Sequence, residues 1–112
     1  MEIKNAKITS ASIEIEDHGI LTAWLHLEYG DSTVQGFGGY GFYASPKTWQ
    51  KKDFPFFGRF VWRCLEIAEV ERWSDIVGKT VRVKADWGKV QAIGHITRND
   101  WFDPSEQFKT TD

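Results

Sequence analysis

The sequence predicts an α+β fold: an antiparallel sheet of about five strands, laid out as a three-strand meander, a helix and a two-strand hairpin, with the one main helix packed on the sheet. Three observations carry this. Residues 20–29 alternate strictly, with Leu21, Ala23, Leu25, Leu27 and Tyr29 on one face and Thr22, Trp24, His26 and Glu28 on the other, the period of a half-buried strand. Phe57, Phe60, Val61, Cys64, Leu65 and Ala68 recur at helical spacing. Residues 79–96 then return to alternation around a turn at Trp87-Gly88. A chain of 112 residues has the length of one domain and can bury roughly two-thirds of its unfolded surface in a single core.

Taken in order, residues 2–16 read as a long strand whose phase slips once. Ala6 and Ile8 share one parity, Ala11, Ile13 and Ile15 the other, and the switch at Thr9-Ser10 is what a β-bulge produces. Glu16-Asp17-His18-Gly19 and Gly30-Asp31-Ser32 are turns that join this strand to residues 20–29 and those to Val34–Tyr43. The third strand is unusual. Residues 35–43 hold four glycines and four aromatics in nine positions. Glycine weakens a strand and is tolerated where a sheet bends or where something approaches the backbone closely. Phe37 and Tyr43 fall on one parity, Tyr40 and Phe42 on the other, so the strand is covered on both sides or lines a cavity.

Residues 44–55 form a lysine-rich loop between Pro46 and Pro55, and Pro55 suits a helix entrance because its missing N–H is not needed there. The helix runs from Phe56 and fades near Val70. Gly58 in its first turn costs about 1 kcal/mol relative to Ala, which implies a tight approach to a neighbour such as the sheet. Ser74 is placed to cap a short turn that Gly78 ends. Val81, Val83 and Ala85 point inward from the next strand, Arg82, Lys84 and Asp86 outward, and residues 90–96 return. Asn99-Asp100 begins a turn, and Asp103-Pro104-Ser105-Glu106 has the form of an N-capped helical turn near residues 104–108. The alternative architecture is a partly closed barrel with the helix plugging one end, in the manner of an OB-fold.

Charge and composition narrow the function. The net charge of −2 gives the whole molecule no pull toward nucleic acid or anionic membrane. The charge is uneven: Glu2, Glu14, Glu16, Asp17, Glu28 and Asp31 face only Lys4 and Lys7 in the first forty residues, whereas Lys47, Lys51, Lys52, Arg59 and Arg63 face only Asp53 in residues 44–63. The N-terminus lacks the apolar core of a signal peptide, and no apolar run approaches about 18 residues, so neither secretion nor a membrane span is predicted. A lone cysteine, Cys64, excludes an intrachain disulfide and suits a reducing compartment; its place on the apolar helix face makes it a core residue rather than a nucleophile. His26 and His95 can meet only if their strands are neighbours, no close-spaced metal-ligand motif accompanies them, and the glycine-rich strand lacks the Lys-Ser/Thr pair of a phosphate loop. Neither an enzyme nor a cofactor is predicted.

Aromatic content of 15%, with six Trp, favours binding instead, since rings and guanidinium groups concentrate at interfaces. The candidate surface interleaves Trp49, Lys51, Lys52, Arg59, Trp62 and Arg63, with Phe37, Tyr40 and Tyr43 from the glycine-rich strand. Rings stack on bases and cations meet phosphates in such a span. Arg59 and Arg63, four apart, share a helix face and can clamp one phosphate. The acidic first hairpin is the rival surface, suited to a basic partner.

The segments "MEIKNAKITSASIEIEDHGILTAWLHLEYG", "GFGGYGF", "VERWSDIVGKTVRVKA", "AIGHI" and "NDWFDP" resemble a family of small proteins encoded by tailed bacteriophages and prophages. The resemblance spans nearly the whole chain, and no residue role carries over from it. It implies the cytoplasm of an infected bacterium and an accessory role. By analogy with other small phage proteins, the expected activity is non-enzymatic counter-defence. That means binding a host defence protein such as a CRISPR effector, or sequestering a nucleotide second messenger at a homo-oligomer interface. The alternative is a single-stranded nucleic-acid-binding accessory of phage replication or recombination, whose binding weakens steeply with salt.

Overall fold

A computed structural model of the chain describes residues 2–16, 19–39, 56–86 and 88–108. These residues build one antiparallel sheet of six strands: β1 (Glu2–Glu16), β2 (Ile20–Tyr29), β3 (Thr33–Gly39), β4 (Thr80–Asp86), β5 (Lys89–Gly94) and β6 (Trp101–Phe102). Their order across the sheet is β3-β2-β1-β4-β5-β6. Helix α1 (Phe57–Ala68) connects the two halves, and a short α2 (Pro104–Gln107) follows β6. None of these helices is long and apolar enough to cross a membrane.

β1 is the shared strand. Its first half pairs with β4, from Glu2 opposite Ala85 to Lys7 opposite Thr80, and its second half with β2, from Ser10 opposite His26 to Glu16 opposite Ile20. The register with β2 shifts between Ile8 and Ser10, where the sequence places its phase slip. The extra residue keeps Ala6, Ile8 and Ala11 on one face while turning the strand. At the same point the Ile8 amide donates to the Lys79 carbonyl and accepts from Gly78 N–H through its own carbonyl (2.9 and 2.7 Å).

The core lies between one face of the sheet and α1. Leu25, Leu27, Ile8, Val81, Val83 and Ile93 meet Phe60, Cys64 and Ile67 of the helix, all buried. Phe37 closes one side of this core. Its ring stacks on Phe60 at 5.5 Å and meets Phe102 edge-on at 5.8 Å, and Phe102 in turn meets Phe108 at 5.5 Å. Paired rings of this kind add about 0.5–1.5 kcal/mol each beyond their burial.

Several expectations need correction. The sheet has six strands rather than five, because residues 101–102 form β6 where the sequence suggests only a turn, and β5 ends at Gly94 rather than Ile96. Ser74 caps nothing; it sits inside a 3-10 turn, Trp73–Asp75, that has no side-chain cap. Gly58 makes no tight approach to any described residue, since a Cβ added there meets none of them within 4 Å. Asp103 does cap α2, accepting from the Ser105 amide at 3.0 Å.

A candidate nucleotide-binding face

The glycines of β3 are explained by the neighbouring strand. Trp24 sits opposite Gly38 and His26 opposite Gly36. A Cβ added at Gly36 would lie 3.0 Å from Cζ3 of Trp24, and one at Gly39 would lie 3.0 Å from Cη2 and Cζ2 of the same ring. The backbone approached closely is therefore that of β3, and what approaches is the Trp24 indole lying across it. His26 stands beside it, with ring centroids 6.1 Å apart and planes 23° apart, its Nδ1 sharing a 3.0 Å hydrogen bond with the Ser10 hydroxyl. Both rings are half-buried. They form a two-ring shelf on the face of β2 and β3 opposite the core.

The shelf opens into a cleft of about 600 Å³ between the glycine stretch of β3 and the start of β5, with Lys89, Gln91 and Ser105 on the far wall. Among the described lining residues Lys89 carries the only charge; its cross-strand neighbour Asp86 on β4 is not part of the lining. An aromatic floor, a single cation and a few hydroxyl and amide groups suit a planar ligand carrying negative charge.

A second ring lies over a second glycine at the other end of the sheet. A Cβ on Gly94 would come within 2.6 Å of the Trp101 ring. The same indole takes Arg82 at 4.8 Å and Lys84 at 4.4 Å over its face. Arg82 is already committed: it donates to the carbonyls of His95 (2.7 Å) and Arg98 (2.6 Å).

Residues 95–100, between β5 and β6, hold the densest polar network. His95, only 4% exposed, presents Nε2 to Glu69 Oε1 at 2.5 Å. Its Nδ1 accepts from the amides of Thr97 (3.1 Å) and Arg98 (2.9 Å). Two amides on Nδ1 assign the hydrogen to Nε2, which donates to Glu69. Both ring nitrogens are therefore occupied, and the imidazole has no lone pair left to act as a general base. Glu69 reaches it from a left-handed backbone, φ 56° and ψ 49°, at the end of α1, and also accepts from Arg98 at 3.2 Å. The hydrogen bond to His95 holds the Glu69 carboxyl below its ordinary range. Burial pushes the Cys64 thiol well up, so no thiolate forms there.

The sequence-derived site residues scatter. Tyr40, Tyr43, Trp49, Lys51 and Lys52 lie outside the described residues. Phe37 is a core ring, 3% exposed, rather than a surface one. Arg63 donates to Glu66 and Asp100, each at 2.9 Å, and to the Trp101 carbonyl at 3.1 Å. It ties α1 to the β5–β6 connection and cannot join Arg59 in clamping a phosphate. Arg59 lies over the Phe108 ring at 5.8 Å, and Trp62 is 64% exposed. His26 stands on β2 and His95 just past the end of β5, with β1 and β4 between those strands. No cluster of three or more metal-ligating side chains occurs among the described residues. Trp24, His26 and Lys89 do not stand out as a site in the sequence. The signal the sequence carries for them is a Trp-x-His strand paired with a Gly-x-Gly strand one tight turn away. Compared with protein-family models and with curated proteins, the chain matches none.

Proposed function

We propose that this protein is a non-enzymatic binder of nucleobase–phosphate ligands, seating a base on the Trp24–His26 shelf and a phosphate against Lys89. The observation that carries the reading is the Trp24 indole packed against Gly36 and Gly39 of β3, beside a cleft whose described lining holds one cation and no acid. The element order supports it. Three meandering strands, a helix and a hairpin, with β1 shared between β2 and β4, follow the strand order of an OB-fold with its last seam open, although here β6 is added at the outer edge of β5. OB-folds bind oligonucleotides and oligosaccharides on the face of strands 2 and 3, an analogy of fold alone.

In the phage setting implied by the sequence resemblance, this chemistry has two sources. One is a single strand exposed during phage replication or recombination. The other is a nucleotide signal raised by host defence. Titrating Trp fluorescence and anisotropy with an oligothymidine of about a dozen nucleotides, and separately with cyclic dinucleotides, distinguishes them. Trp24→Ala is expected to weaken the binding by roughly 5- to 150-fold, the worth of one base–ring stack of about 1–3 kcal/mol. No binding of either ligand at low salt would sink the proposal.

A further inference from the structure

β1 outruns the strand on one of its edges. It pairs with β4 only from Glu2 to Lys7, and the place beside Ile8 is taken by the Gly78 amide and the Lys79 carbonyl. From Ser10 to Glu16 it keeps β2 on its other edge, while no strand among the described residues lies on this one. Alternate N–H and C=O groups of residues 10–16 therefore face outward with no strand to receive them, the condition under which an edge templates another strand. Residues 10–16 hold no proline and no lysine, and the bulge lies before Ser10, so three devices that commonly blunt an edge are missing here.

The side chains select the strand that fits. Ala11, Ile13 and Ile15 share one face, opposite Leu25, Ala23 and Leu21 of β2, and Ser10, Ser12, Glu14 and Glu16 share the other. Ile13 and Ile15 are 42% and 72% exposed, since on this strand the packed apolar residues end at Ala11. A second copy laid antiparallel along the edge has few registers open to it. Pairing odd residues with even ones sets Ile13 against Ser12 or Glu14 and mixes the two faces. A register centred on Glu14 opposes that residue to itself, and one centred on Ile15 opposes Glu14 to Glu16; like charges directly opposite destabilise a pair. A register centred on Ser12 runs Glu16 onto Ile8, where Gly78 and Lys79 already sit. Centring on Ile13 avoids all of these. Ile13 then opposes Ile13, Ile15 opposes Ala11, Glu14 opposes Ser12 and Glu16 opposes Ser10.

We infer that residues 10–16 of β1 pair antiparallel with the same residues of a second copy of this chain, in the register centred on Ile13. The apolar side chains of both copies form one continuous stripe, and every glutamate faces a hydroxyl. The contact is isologous, so it closes at a dimer. It does not rest on the nucleotide reading, whose indole shelf packs against β3 on the other side of β2.

Disulfide trapping tests the register. Directly opposed residues of an antiparallel pair lie about 4.5–5.5 Å apart between Cα atoms, within the span a disulfide bridges. Ile13→Cys is therefore expected to form a covalent dimer under mild oxidation. Ser12→Cys and Glu14→Cys, each about 8 Å from its own copy, should stay monomeric alone and cross-link only when mixed. The wild-type chain is the control, because its one thiol, Cys64, is buried. Sedimentation velocity without nucleic acid gives the second readout. Wild-type protein should self-associate as its concentration rises, and Ile13→Lys, which sets two ammonium groups face to face, should weaken this about tenfold or more. Its far-ultraviolet circular dichroism should be unchanged. Wild-type protein that stays monomeric at every concentration overturns the inference. So does an Ile13→Cys chain that remains uncrosslinked, or a Glu14→Cys chain that dimerises alone as readily as Ile13→Cys.

Discussion

At the scale of single residues, three glycines show how environment reverses the sign of one substitution. Gly94 lies under Trp101, so Gly94→Ala forces a Cβ to within 2.6 Å of the ring. The expected cost is about 1–3 kcal/mol, the range for overpacking. Because the penalty belongs to the pair, Trp101→Ala should abolish most of it, and a double-mutant cycle by urea denaturation should return a coupling of about 0.5–3 kcal/mol. Additive effects would mean that the indole moves aside freely. Gly36→Ala crowds Trp24 at 3.0 Å, a milder clash, and is expected to lower ligand affinity more than stability because it tilts the shelf. Gly58, in the first turn of α1, has no described residue within 4 Å of an added Cβ. Gly58→Ala is therefore expected to stabilise by up to about 1 kcal/mol, read as a raised denaturation midpoint. From sequence, Gly58 suggests a close approach and the β3 glycines suggest either a bend or a binding floor. Composition cannot tell which glycine has a ring above it, since the ring comes from the adjacent strand.

At the scale of elements, legibility tracks length and periodicity. β2 is ten residues of strict alternation, and its bounds follow from the pattern. β1 is legible down to its bulge, because a parity switch in the apolar residues can only be reconciled with one buried face by an extra residue. β6 is two residues long and shows no period at all. It exists because His95 and Asp100 close the loop between them, the His95 amide donating to the Asp100 carbonyl at 2.9 Å. The loop that positions it depends on long-range partners, namely Glu69 and Arg63 from α1 and Arg82 from β4, none within reach of a local reading. That dependence gives a pH prediction. Hydrogen bonds from His95 and Arg63, respectively, hold the Glu69 and Asp100 carboxyls below their ordinary values. In the unfolded chain these groups titrate near 4.3 and 3.9. A lowered folded pKa means that the stabilisation is fully present above those values and is lost as pH falls through the folded ones. Thermal melts should therefore show a falling midpoint below about pH 4. Glu69→Gln and Asp100→Asn should each lower the neutral-pH midpoint and flatten that acid limb; an unchanged limb in both would show that these pairs contribute nothing.

At the scale of the whole molecule, a net charge of −2 means that attraction to a polyanion is local. The basic, aromatic span read from residues 47–63 implies a steep salt dependence. The structure removes part of that expectation by committing Arg63 to two carboxylates and by turning Arg59 toward Phe108, away from the Trp24 shelf. What remains beside the shelf among the described residues is Lys89, with Lys84 on the same sheet over Trp101. A single strand engaging one or two phosphates releases few counterions, and each contributes about −0.7 to the slope of log K against log salt. The proposed binding should accordingly show a slope between about −0.7 and −1.4, far shallower than a basic groove would give. Lys89→Glu should bring it toward zero while leaving the Trp24 quench on saturation unchanged, because stacking on the indole is insensitive to salt. A slope steeper than about −3 would instead require Lys47, Lys51 and Lys52 to reach the same ligand. In that case Lys51→Glu would flatten it and Lys89→Glu would not.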